Sequence, residues 1–476
     1  MSSLAPVEDA ARIRGLDALR GVALLGILLA NVRQMFLPWD IADLPLPLST
    51  GPGTGPVLAW ADWAIFDALV DMKFLTLFSV LFGIGFALQG ERIAGRGERF
   101  AEIYLRRVFI LALFGMAHGL LLYPAEVLLP YAVAGLLLLT ARRLSADAML
   151  RVGLVLLGAA TVWSYQITSL GRISGVVTVL GIAAIAACMT VLPRRSWPLA
   201  VAVWALLVLA VAGVLTLRTD RAAGAASDFA EARRGLLAMD TGDAAAWPEE
   251  LRARRAGTTA ALLGLHARQY AAVLFYFAIL LLWRTLGLFL IGAGLYRRGV
   301  VSGATPDLWR RVAIVGLGLG LALSLLATAL HAQELRGSID WRFPDFLHEA
   351  SALPLAAGIA GAVFLLHRRD GLRRIAGPVE AAGRMALTNY VGQSLVMAAL
   401  AEPWGLNLYG RLGAPLLTAL AVVVFAAMAL FSQAWLARLR LGPLEWLWRC
   451  GTYWRWLPNR AARQPSRPGD RGPASV

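Results

Sequence analysis

The sequence predicts an all-α protein, a polytopic bundle of about 12 membrane-spanning helices with both termini on the cytoplasmic side. Three observations predict it. Of 476 residues, 58% are hydrophobic and only 16% are charged, where a soluble chain carries about 25% charged residues. Apolar stretches near the ~20 residues that cross a bilayer recur from residue 17 to residue 434. Short arginine clusters fall in every second connection between them, the pattern of cytoplasmic loops.

The first span is read at 17–36. No small-residue cleavage site follows it, so it is taken as a helix and not as a removable leader. The next spans are 74–89, 107–123, 126–141, 148–169, 173–192 and 198–217. A long loop, 218–270, separates them from spans at 271–295, 312–331, 349–366, 385–403 and 414–434. Arg12 and Arg14, then Arg92, Arg96, Arg99, Arg106 and Arg107, then Arg142, Arg143 and Arg151 lie on one side. Arg194 and Arg195, Arg297 and Arg298, and Arg368 and Arg369 join them, which makes that side the cytoplasm. The loop at 37–60 has no Lys or Arg and carries Asp40 and Asp43. The 218–270 loop holds eight arginines but also acids such as Asp228, Glu231 and Glu249. Long loops cross membranes largely regardless of charge, so it is placed outside, as amphipathic helices on the outer surface.

The tail from 438 to 457 mixes Trp and Arg, which suits the membrane interface. Residues 458–476 lack apolar periodicity and read as disordered. The net charge of +15 is explained by the cytoplasmic loops, which excludes nucleic acid as the partner. Cys188 and Cys450 form no CxxC and no metal spacing and read as structural thiols.

An ionisable group inside a span is costly and is a functional hypothesis by default. Asp17 and Arg20 open the first span at a spacing that lets them pair. They are either an ion pair at the helix end or a handle for phosphate. Asn31, with Arg33 after it, is either interhelical glue or a substrate contact at the outer mouth. His118 has apolar runs on both sides, and imidazole is the usual proton carrier near neutral pH. Glu126, across the short outer turn, is the carboxylate that could orient it. Asp62, Asp67, Asp71 and Lys73, the only lysine, precede the second span. They are either a solvated segment or a site where Lys73 pairs with Asp71 or a substrate anion. Asn389, Gln393 and Glu402 give a polar face that either holds helices together or lines the same cavity. Gly83, Gly85 and Gly90, like the glycines of 316–320, read as close helix packing and not as a phosphate loop. His266, His331, His348 and His367 fall at span ends or in loops, with no ligand motif, so no metal is expected.

Several blocks are specific in wording: RIRGLDALRGVALLGILLANVRQMF at 12–36, DMKFLTLFSVLFGIGFALQGER at 71–92, and the stretch 104–139 around His118. With GRMALTNYVGQSLVMAAL at 383–400 and LGPLEWLWRCGTY at 441–453, they resemble the YeiB-like family of bacterial inner-membrane proteins. That family is related to a broad superfamily of transmembrane acyltransferases, one of which acetylates the glucosamine end of heparan sulfate from cytosolic acetyl-CoA. The resemblance implies acyl transfer across the inner membrane from acyl-CoA, a co-substrate and not a tightly bound cofactor, to an envelope glycan, lipid or small molecule. It implies His118 as general base, with Glu126 and Asn31 in support. Lys73, Asp71, Arg33, Asn389, Gln393 and Glu402 would meet the substrate, and Asp17, Arg20, Arg106 and Arg107 the CoA phosphates. Members commonly have Gly-Asp where this chain has Ala125-Glu126. The competing reading is a transporter or flippase, which predicts broken helices and matched halves; no matching pair is found between the halves. A homodimer is left open.

Overall fold

In the computed structural model the described residues are 14–39, 56–94, 100–169, 249–303, 305–334, 342–367 and 373–460. They are all-helical, with only an isolated bridge between Leu439 and Arg460. The spans read at 173–192 and 198–217, and most of the loop after them, lie outside the described residues. So do the last residues of the tail and Cys188.

The first half comprises α1 (Arg14–Phe36), α2 (Pro56–Leu69), α3 (Lys73–Ala94), α4 (Phe100–Leu121), α5 (Leu128–Thr140) and α6 (Ala146–Ser169). The second comprises α7 (Glu249–Ala256), α8 (Thr259–Tyr276), α9 (Leu282–Arg297), α10 (Pro306–Glu334), α11 (Arg342–His367), α12 (Arg373–Arg384), α13 (Ala386–Ala401), α14 (Ala414–Leu436) and α15 (Pro443–Tyr453). Among the described residues, five helical stretches are long and apolar enough to cross a membrane: Gly15–Phe36, Val57–Ile93 (α2 with α3), Pro306–Gln333, Pro344–His367 and Ala414–Leu436. Their outward faces are apolar. Ile314, Val315 and Leu319 on α10 and Val422, Val423 and Leu430 on α14 are all exposed, a surface that lipid covers and water does not.

Three differences from the sequence reading matter for the site. The acidic segment before Lys73 is not solvated: it is α2, and Asp67 and Lys73 are buried. The end of the 218–270 loop does not lie on the surface. α7 buries Leu251 and Arg254 completely or nearly so, and α8 runs through a π-helical turn at Phe277–Leu281 into α9. π turns are frequent at functional sites, and Arg284 follows this one by one turn. Finally, α11 begins at Arg342, earlier than the span read at 349, and so carries His348 within the helix.

Small residues set the packing. A side chain on Gly83 would meet the Phe289 carbonyl, and one on Gly292 the Val80 carbonyl, so α3 and α9 touch backbone to backbone. Gly316 and Gly320 bring α10 against Gly358 and Leu355 of α11, the small-residue spacing that lets membrane helices approach closely. α15 docks on α13. The Glu445 carboxylate accepts hydrogen bonds from Leu387 N (2.7 Å), Thr388 N (3.0 Å) and Thr388 Oγ1 (2.5 Å). It thereby caps a helix that has no side-chain cap of its own. Burial pushes this carboxyl above its ordinary value of 4.5, against the lowering by those hydrogen bonds.

Candidate functional site

The helix approaches just described bring α2, α3, α9, α10 and α11 around one buried polar centre. α2 ends at Leu69, and the chain turns through Met72, whose φ of 58° is left-handed, before α3 begins at Lys73. A non-glycine residue held there stores strain, and here the turn points Lys73 inward. Lys73 is fully buried, with Nζ 2.6 Å from Nδ1 of His348 and 3.1 Å from the Asp67 carbonyl. Nε2 of His348 lies 2.7 Å from Oδ2 of Asp67. The Asp67 carboxylate also accepts from Thr328 Oγ1 at 2.6 Å and lies 3.2 Å from Nδ1 of His331. Nε2 of His331 is 3.3 Å from Asp345. The two imidazoles lie face to face, with centroids 5.0 Å apart and planes at 19°.

A second buried cation adjoins this group. Arg284 donates from Nε to Glu349 at 2.8 Å and from Nη2 to Thr76 Oγ1 at 2.7 Å. The centre is deep. Phe74 packs on Gly26, which sets Lys73 near the middle of α1, about 9 Å further along that helix than Arg20. His348 is about 9 Å along α11 from its first residue. Titratable groups held in a span at this depth are expensive, and mark substrate or proton pathways.

The sequence reading missed His331 and His348 as partners. They lie at span ends without a ligand motif, yet Asp67, His331 and His348 place ligand atoms within 4.8 Å of one another. Two histidines and an aspartate are a donor set that suits a divalent transition metal. As they stand, these atoms hydrogen-bond one another. The missing signal was topological: consecutive antiparallel spans joined by a short loop bring their ends to one level. Arg284 was visible as an arginine inside an apolar run but was not singled out.

The predicted residues do not meet in one cavity. Of the residues named from the sequence, only Asp67, Asp71 and Lys73 belong to this centre. His118 is buried on α4 between the Tyr390 ring (5.0 Å between centroids) and that of Tyr123 (6.4 Å). Both its ring nitrogens are without a hydrogen-bond partner. The expected pairing with Glu126 is absent, because Glu126 is engaged elsewhere. It caps α5 through Leu128 N and Leu129 N and accepts from Tyr270 at 2.9 Å. Asn31 is half-buried on α1. Arg33 pairs with Asp62 at 2.5 Å and lies 3.9 Å from the Phe66 ring centroid. Glu402 ends α13 in a separate buried group, paired with Arg254 of α7 and 3.6 Å from His266. Asn389 bonds Ser432 at 2.9 Å and the Ala382 carbonyl at 3.0 Å, tying α13 to α14 and α12. Gln393 is buried with its amide nitrogen unpartnered. At the far end, Asp17 and Arg20 pair at 2.8 Å, Arg106 is exposed, and Arg107 stacks 3.7 Å over Trp448.

Fold and site together define a helical protein whose membrane-crossing helices enclose a charged, histidine-containing centre. Residues 295–455 match the family described as Protein of unknown function (DUF418). The chain is 31% identical over 444 residues to the uncharacterized protein YeiB of Escherichia coli (strain K12), covering 91% of this chain and 94% of that protein. It is 28% identical over 471 residues to the uncharacterized protein YxaH of Bacillus subtilis (strain 168), covering 96% and 98%. It is 25% identical over 465 residues to an uncharacterized 39.9 kDa protein of Bacillus acidopullulyticus, covering 95% and 97%. No solved structure matches it. The chain belongs to the YeiB-like family.

Proposed function

We propose that this is a multi-pass protein of the bacterial inner membrane, with about 12 spans and cytoplasmic termini. In this reading it transfers an acyl group from cytoplasmic acyl-CoA to an acceptor on the outer side. The observation that carries the reading is the buried Asp67–His348–Lys73 arrangement, supported by the resemblance of the sequence blocks to the YeiB-like family, which is related to a superfamily of transmembrane acyltransferases. Asp67 holds the imidazole through Nε2, which leaves the lone pair for proton transfer on Nδ1. Lys73 fills that position now. An acceptor hydroxyl or amine takes its place, gives its proton to His348 and attacks the thioester carbonyl. The displaced ammonium stands beside the oxyanion that forms. Collapse breaks the carbon–sulfur bond, and the CoA thiolate leaves and takes the proton that His348 received from the acceptor. The base in this account is His348 and not His118, which lacks an orienting group.

In this reading Arg20, Arg106 and Arg107 meet CoA phosphates at the cytoplasmic end, with the thioester arm reaching toward Lys73. No tightly bound cofactor is invoked, and the other partners are the bilayer and a glycan, lipid or small-molecule acceptor. Purified protein in detergent, given acetyl-CoA or a longer acyl-CoA, releases CoA thiol over the uncatalysed rate. Absence of both binding and thiol release by folded protein would overturn the donor assignment. The second reading is proton-coupled transport, favoured by the line of acids and bases between Asp345 and Lys73. It predicts substrate uptake driven by a pH gradient in vesicles, with no thiol release.

A further inference from the structure

We propose that Asp345, His331, Asp67, His348 and Lys73 form a proton relay. It connects the buried Lys73 amine with solvent at the end of the bundle where α10 finishes and α11 begins. Acid and base alternate from Asp345 to His348, and Lys73 ends the line without a gap. The steps are 3.3 Å from Asp345 to His331, 3.2 Å to Asp67, 2.7 Å to His348 and 2.6 Å to Lys73. Exposure falls steadily in the same order. The side chain of Asp345 is 69% exposed, those of His331, Asp67 and His348 are 13%, 12% and 3% exposed, and Lys73 is 0% exposed. A network kept only to satisfy helix contacts has no need of this order, nor of a titratable side chain at every position. Serine, threonine and amides do that elsewhere in this bundle, as Asn389 and Ser432 show.

The line has fixed walls. Arg284 is held by Glu349 on one side, and Thr328 anchors Asp67 on the other. Asp71 is the remaining acid near Lys73. A proton leaving Nζ of Lys73 enters His348 at Nδ1, and the proton on Nε2 passes to Oδ2 of Asp67. That oxygen is also 3.5 Å from Nδ1 of His331, so it can give the proton on without the carboxyl turning over. His331 then releases its Nε2 proton to Asp345 and water. One proton enters, one leaves, and a proton returned along the same path restores both tautomers. In the acyl-transfer reading the acceptor proton passes through His348 to the CoA thiolate, and the relay resets the protonation of His348 and Lys73 between turnovers; it rests on that reading only for this purpose.

Lys73 is the only lysine in the chain, which makes the test direct. Protein labelled with 15N-lysine in detergent micelles gives one side-chain amine signal, and exchange of its hydrogens with water is measured. The relay predicts exchange that is slowed about tenfold or more in His331→Phe and in Asp345→Asn. The second variant replaces an exposed group and keeps the fold. A loosened fold would speed exchange, the opposite direction. Unchanged or faster exchange in both variants overturns the relay. So does one tightly bound metal ion per chain in the purified protein, since a cation on Asp67, His331 and His348 would take the lone pairs that carry the proton. No acyl-CoA is present in this experiment, so its failure leaves the transfer reading standing, and lost thiol release with normal exchange would fail that reading alone.

Discussion

Two histidines show how differently burial can be used. His118 and His348 are equally buried, at 3% exposure, but His118 lies among aromatic rings with idle nitrogens, while His348 is held at both. His118 attracted attention in the sequence because its flanks are uniformly apolar. That pattern reports burial and says nothing of partners. Arg284 was equally legible, an arginine in the middle of an apolar run, and its meaning depends on Glu349, 65 residues away. Removing one member of a buried ion pair strands the other, which costs about 3–5 kcal/mol. Arg284→Met should therefore lower the melting temperature of detergent-solubilised protein strongly, and Glu349→Gln in the same chain should restore part of the loss. Equal losses for the single and double variants would show that Arg284 acts through packing alone.

At the scale of the element, most helices were legible from the length of apolar runs. The boundaries that failed are informative. α2 was hidden because Asp62, Asp67 and Asp71 look solvated until their partners on α1, α10 and α11 are known. α7 was hidden because its arginines resemble a surface loop, though Arg254 faces Glu402. Glycines were read as close packing, and the structure divides them. Gly316 faces the backbone of Gly358 and Pro354, while Gly318 has nothing within 4 Å. Alanine at Gly316 should destabilise by about 1–3 kcal/mol. Alanine at Gly318 should be neutral or stabilise by up to about 1 kcal/mol, from helix propensity. Melting of the two variants separates them; equal effects would place the α10–α11 contact elsewhere. The α13 cap carries a pH signature. Glu445 has a folded value raised above 4.5, so its favourable contribution is complete below that pH and is lost as pH rises through the raised value. The melting temperature of the wild type relative to Glu445→Gln should fall as pH rises above the ordinary carboxyl value of 4.5. A difference that stays flat or grows would show that the hydrogen bonds to the carboxylate outweigh its burial.

For the whole molecule, composition and arginine placement made the membrane class and the helical fold legible, and the sequence blocks made the family legible. The location of the site was not. The candidate residues named from single spans fall into at least four separate groups. One lies around Lys73, one around His118, one around Arg254 and Glu402, and one at the end that holds Arg20 and Arg107. Long-range pairing decides which of these is a centre, and no local pattern records it. The central claim is that the Lys73 group is that centre and that its chemistry is acyl transfer. The measurement that tests it most directly is thiol release from acyl-CoA by wild type, His348→Gln and His118→Gln, with folding of each checked by its melting curve. The account predicts a loss of about 100-fold or more in His348→Gln and near-normal release in His118→Gln. Normal release in His348→Gln together with loss in His118→Gln would contradict it and return the base to α4.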